Sequence, residues 1–344
     1  MTARTVLGGL LIDALDEFER AIAAIPPPGQ HRRIGRLNAP GWTVAHIASS
    51  FDAWLNVFVQ RLPVDPWAED IFQRQRALPP GSAVDAALDE AHACFTRVAA
   101  RARPYLESAD AAVLAIPAAV PPSPWRGAQA SYLVARSIAH LFAHAGDLTV
   151  AGALVGAGDL GLPGALAAAR DAAAGDDGSG PALGSLVLDA RDEFVRAADA
   201  LPRLAHGGAI AHLNPGSVTV AHVATGVDRW WNADRAGLAR DAWLTGVADD
   251  VRAGRPVDFD EALAAYRRVR ARSDGAVSAL VDGHGAVSAA AGSERASTLT
   301  VAAREIAHTF AHAGELVAIG SLAGQSDIGL PGALAHSAAS FARA

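Results

Sequence analysis

The chain has 344 residues, 51% of them hydrophobic and 19% charged, with a formal net charge of -7. That composition is globular rather than disordered, suffices for two domains with a core each, and carries no basic excess that would suggest nucleic acid as a partner. The single cysteine, Cys94, excludes an intrachain disulfide, and the 29 basic residues are all arginine, which excludes lysine Schiff-base chemistry and a P-loop lysine.

The N-terminus meets an acid at Asp13 before a signal-length apolar stretch is complete. No apolar run approaches the roughly 20 residues that span a bilayer. A cytoplasmic protein without a membrane segment is expected. Residues 6–25, "VLGGLLIDALDEFERAIAAI", have apolar residues at helical spacing and stop before "PPPG", which predicts a first helix. A second is predicted to start near Thr43, an N-cap candidate after Pro40 and Gly41, and to run through "AHIASSFDAWLNVF". The connection that follows, "RLPVDPWAEDIFQRQRALPPG", is long enough to be a crossover. The third helix is predicted over 82–102, where Cys94 reads as a small buried residue rather than a nucleophile. A fourth carries "IAHLFAHAGDL", residues 138–148, and continues to about Val155. A "GLPGAL" turn then packs the following segment onto the helices.

The pattern recurs. "LNAPGWTVAHIASSFDAWLN" from Leu37 matches "LNPGSVTVAHVATGVDRWWN" from Leu213, an offset of 176. "RSIAHLFAHAGDL" from Arg136 matches "REIAHTFAHAGEL" from Arg304, an offset of 168, and "DLGLPGALA" matches "DIGLPGALA". The second copy's third helix is predicted over 258–273. Period-two alternation is nearly absent. The fold class expected is all-α, two tandem four-helix bundles over 1–172 and 184–344, joined by a Gly/Asp-rich linker at 173–183. A packed pair would be a monomeric pseudo-dimer; a homodimer is the other possibility.

A helix repeats every 3.6 residues, so His140 and His144 stack on one face, as do His308 and His312. Their imidazoles can converge on one ion at about 2.0–2.1 Å. A third ligand is expected from His46 and its counterpart His222, the remaining histidines that recur at matched positions. Against this stands the reading of all six as hydrogen-bonded core histidines. Asp147 and Glu315 follow on nearly the same stripe, and could be fourth ligands or could orient a histidine. Arg136 and Arg304 precede the stripe by one turn and could grip an anionic group; an ordinary Arg–acid surface bridge is the alternative. Trp54 and Trp230 return toward the histidine side and could wall a site. Asp52, Asn56, Asp228 and Asn232 read as structural. Gly146 and Gly314 interrupt the helix at about 1 kcal/mol relative to alanine, which close helix contact away from the histidines would explain.

These blocks resemble the DinB-like (YfiT-like) superfamily of metal-binding four-helix bundles. The "H-x-x-x-H-x-G" pattern is present at His140, His144 and Gly146, and again at His308, His312 and Gly314. The resemblance implies His46, His140 and His144, and His222, His308 and His312, as ligands of a divalent metal, zinc or nickel, up to two ions per chain. It further implies chemistry on a low-molecular-weight thiol such as mycothiol, with an electrophilic substrate as partner, as in mycothiol or bacillithiol S-transferases and mycothiol-dependent maleylpyruvate isomerase. The tandem arrangement departs from that isomerase. Two alternatives stay open: a metal-binding protein without catalysis, and a hydrolase or isomerase using metal-bound water.

Overall fold

The computed structural model describes residues 4–29, 33–79, 82–118, 128–158, 160–172, 177–211, 213–283, 297–326 and 328–341. Eight long helices organise it. In the first half these are α1 (Val6–Ala23), α2 (Pro40–Phe51), α3 (Leu88–Ser108) and α4 (Ala130–Leu154). In the second they are α5 (Gly180–Ala200), α6 (Gly216–Val227), α7 (Phe259–Val281) and α8 (Thr298–Leu322). Within the first half α1 packs on α4, α4 on α2, α2 on α3, and α3 back on α1. The second half repeats that ring with α5, α8, α6 and α7. The fold is all-α, with no strand among the described residues beyond one isolated bridge. Among the described residues no helix is long and apolar enough to cross a membrane.

The local chemistry explains where the helices start. Thr5 caps α1 by accepting from the Gly8 amide at 3.1 Å. α2 begins at Pro40 rather than near Thr43, which is buried inside the first turn. Proline at the first helical position needs no amide partner, so no side-chain cap is required. The expected crossover between α2 and α3 contains a helix of its own, Pro66–Ala77, capped by Asp65. Its sequence is mostly polar and buries only Ala68 and Ile71, too weak a stripe to show in the periodicity. α3 starts later than expected and runs through Pro104 to Ser108, and α7 continues to Val281. Of the stretch read as a linker, residues from Gly180 onward already belong to α5. Asp177, at its start, accepts from the Val6 amide and the Ser179 amide, the latter at 2.9 Å, and so ties the junction to α1.

Helices α4 and α8 are buried on nearly every side because each lies between its own bundle and the other. Gly146 is two residues past His144, on the opposite face. A Cβ there would sit 1.9 Å from the Ala311 carbonyl oxygen; one on Gly314 would sit 1.8 Å from that of Ala143. Ala143 and Ala311 are themselves equivalent positions, so the contact is reciprocal, as at a twofold interface. Alanine at either glycine would favour an isolated helix by about 1 kcal/mol. Here Gly146→Ala or Gly314→Ala is expected to lower stability by about 1–3 kcal/mol through overpacking against backbone. Urea unfolding of each variant checks this, and a gain in stability would show that the helices do not meet here.

A second duplicated device holds the "GLPG" turns. Asp13 accepts from the Ala168 and Ala169 amides at 2.9 and 2.8 Å, and Glu17 from the Gly164 amide at 2.9 Å. Arg20 donates to the Leu160 and Gly161 carbonyls. Asp189, Glu193 and Arg196 repeat every one of these roles toward Ser337, His336, Gly332, Ile328 and Gly329. Burial pushes the Asp13 and Asp189 carboxyls up, and the donated amides oppose it. The sequence placed this turn against the bundle but did not show that an Asp, a Glu and an Arg on one helix face hold it.

Candidate metal centre

α2 and α6 do not end as α-helices. Each continues as a π-helical segment, Asp52–Val59 and Asp228–Arg235. The wider turn changes which residues face inward. Trp54 lies 5.3 Å from His140 between ring centroids, and Trp230 lies 5.1 Å from His308. The same segments bury Asp52 and Asn56 in a structural network. Asp52 accepts from Asn56 at 2.8 Å, from the Asp65 amide at 2.8 Å and from Arg101 at 3.2 Å. Asp228 and Asn232 repeat it with Arg240, Arg272 and the Asp241 amide. None of these four faces the histidines. Cys94 is buried too, its thiol pushed up to about 12 by burial and by Asp65.

Packing of α2 on α4 brings His46 to His140 and His144. The Nε2 atoms of His46 and His140 are 3.1 Å apart, and the ligand atoms of the triad lie within 4.8 Å of one another. In the second half His222 and His308 meet at 2.9 Å and His312 completes an equally close group. Nitrogens at about 2.0–2.1 Å from one tetrahedral ion are about 3.3 Å apart, close to both spacings.

The protonation state suits coordination. Burial pushes His46 down to about 3, reinforced by His144 and Arg136. Burial likewise holds His140 and His308 well below the ordinary histidine value. A neutral imidazole is the form that binds a metal. The hydrogen bonds point the same way. His312 Nδ1 meets Glu315 at 2.6 Å, which leaves its Nε2 buried with no hydrogen-bond partner. An orphaned buried nitrogen costs about 1–3 kcal/mol, and a cation held between it and the other two imidazoles would remove that cost. The donor set therefore fits a divalent ion, and Glu315 is placed to orient His312 rather than to coordinate. Asp147 is 3.6 Å from His144 Nδ1, beyond hydrogen-bond distance.

Arg136 and Arg304 stack over Trp54 and Trp230, at 5.3 and 5.1 Å from the ring centroids. Arg136 also interacts with Tyr132, and burial pushes its guanidinium below the ordinary arginine value. All the residues expected around each triad are thus brought together.

Sequence reasoning missed what closes the sites. The first triad opens into a cavity of about 600 Å³ whose far wall is Val317, Ala318, Ser321, Gln325, Gly329 and Pro331 of the second half. The second triad opens into about 400 Å³ walled by Thr149, Val150, Ala153, Ala157, Gly161 and Leu162 of the first half. Each half lends its fourth helix and its turn to the other's site. Trp42, unremarked in the sequence, stacks on His46 with ring planes 1° apart and centroids at 5.0 Å. A family model described as the DinB superfamily matches residues 10–148, a span that includes His46, His140 and His144. No curated protein and no solved structure matches the chain.

Proposed function

We propose, from the premise that residues 10–148 belong to the DinB superfamily, that this protein is a divalent-metal enzyme presenting a low-molecular-weight thiol to an electrophilic substrate. The reaction is S-transfer or a thiol-dependent isomerisation, the thiol mycothiol-like, the metal zinc or nickel. The observation that carries this reading is the donor set. Three imidazoles, grouped with no fourth donor among the described residues, face a cavity large enough for a small ligand. Three-ligand sites are the catalytic kind, whereas closed four-ligand sites are structural. A divalent ion held there would lower the pKa of a thiol at the open position, giving a nucleophile near neutral pH.

The chain's own residues do the rest. Glu315 holds the His312 ring in one tautomer, with Nε2 directed into the group. Trp54 and Trp230 lie against His140 and His308 and exclude water from that side. Arg136, fixed over Trp54, supplies a planar donor for an anionic group of thiol or substrate.

The test is cobalt substitution. Adding a thiol to the cobalt-loaded protein is expected to produce sulfur-to-metal charge-transfer absorption, and turnover of an electrophile panel is expected to require the thiol. Turnover without thiol would replace this reading with hydrolysis by bound water. Full cobalt loading with neither thiol absorption nor turnover would leave a binding role.

A further inference from the structure

The two cavities are built on one plan, so the positions where they differ are informative. Arg33, Arg36, Trp42 and Gln325 line the first. By the offsets of the repeat their counterparts are Ala209, His212, Val218 and Ala157. Three polar groups and a stacked indole in one cavity thus face alanine, valine and one histidine in the alignment of the other. Arg33 and Arg36 are exposed at the mouth and form no ion pair with any described carboxylate. They are instead posed by backbone. Arg33 donates to the Leu37 carbonyl at 3.2 Å, and Arg36 reaches across the seam to the Gly324 carbonyl at 2.8 Å. Gln325, one residue further on, has both side-chain polar atoms buried without a hydrogen-bond partner. Among described lining residues the first cavity carries Arg33, Arg36 and Arg136 against Asp147, whereas the second is lined by Glu315, with Arg304, the counterpart of Arg136, over Trp230 beside its triad, so arginines outnumber acids only at the first. A surplus of guanidinium groups over a metal triad is a cradle for negative charge, which arginine binds in bidentate fashion.

We infer that the duplication has specialised: the first cavity is the substrate site for a small dianion, a dicarboxylate or a phosphate ester, and the second is not. Arg33, Arg36 and Arg136 take the anionic groups, and Gln325 from the other half supplies the neutral hydrogen bonds. The inference deepens the enzymatic reading and rests on it for the word substrate, but the anion site stands on its own residues.

The experiment is calorimetric titration of the full chain, zinc-loaded and metal-free, with succinate, inorganic phosphate and the uncharged succinamide. One binding event per chain is expected for at least one of the two anions, weakening as salt rises, with none for succinamide. The anion that binds identifies the head group. The Arg33→Ala/Arg36→Ala double variant, altered only at exposed positions, is expected to bind at least tenfold more weakly with its zinc content unchanged. Gln325→Ala should weaken binding by a smaller factor without changing the stoichiometry. Two equivalent events per chain, no anion binding, or an unaffected double variant would overturn the proposal. Anion binding by a protein that takes up no zinc would instead sink the metal reading and leave the anion site standing.

Discussion

A chain carrying His144→Ala is expected to hold one divalent ion where the unaltered chain holds two. The triad is three imidazoles with no spare donor among the described residues, so removal of one leaves two. Loss of a mere orienting partner weakens a metal site by about 10–100-fold, so loss of a ligand should weaken it by more than about 100-fold. The second site, built from His222, His308 and His312, should be untouched. The orienting carboxylates then give an internal control. Glu315→Gln should cost the second site about 10–100-fold, because a neutral amide replaces the carboxylate at the 2.6 Å contact to His312. Asp147→Asn should cost the first site less, because its carboxylate stands 3.6 Å from His144. Elemental analysis after dialysis against chelators of graded strength measures all three. An unchanged metal content in His144→Ala would mean that the ion, if present, lies elsewhere.

The largest effect on stability is expected from a residue that has no part in the site. Arg191 is fully buried in the second bundle. It donates to both oxygens of the buried Glu305, at 2.7 and 3.1 Å, and to Asp274 at 2.9 Å. Trp231 donates to the same Glu305. The first half fills the equivalent positions with Leu15, Ser137 and Leu55. Breaking a buried pair strands an uncompensated charge, at about 3–5 kcal/mol. Arg191→Leu alone should therefore lose about that much in urea unfolding. The triple variant Arg191→Leu/Glu305→Ser/Trp231→Leu installs the first half's own solution and should recover most of the loss, since replacing a whole buried polar set is often neutral. A cost under about 1 kcal/mol for the single change would mean that water reaches this pair, contrary to its burial.

How much of this was legible beforehand depends on how local each feature is. The His140–His144 spacing and its repeat are helical geometry, visible in the letters, and the recurrence of His46 as His222 supplied the third ligand. Gly146 and Gly314 announced a close contact, though not that it would be reciprocal across the two bundles. The π-helical segments were not legible, because "DAWLNVFV" has no composition that separates a wide turn from an ordinary one. The Pro66–Ala77 helix was hidden by its polar sequence. Trp42, Arg33, Arg36 and Gln325 escaped for a different reason: they are not repeated, and a search for what the halves share passes over what distinguishes them. That Gln325 and Pro331 wall the first triad is a tertiary fact linking positions almost two hundred residues apart, which no periodicity encodes.

The central claim is that both histidine triads bind a divalent ion. Native mass spectrometry of the purified chain during stepwise zinc addition tests it most directly. Uptake should proceed to two ions per chain and stop there, and His144→Ala and His312→Ala should each stop at one. A chain that takes up no zinc, or one whose uptake ignores both substitutions, would contradict it.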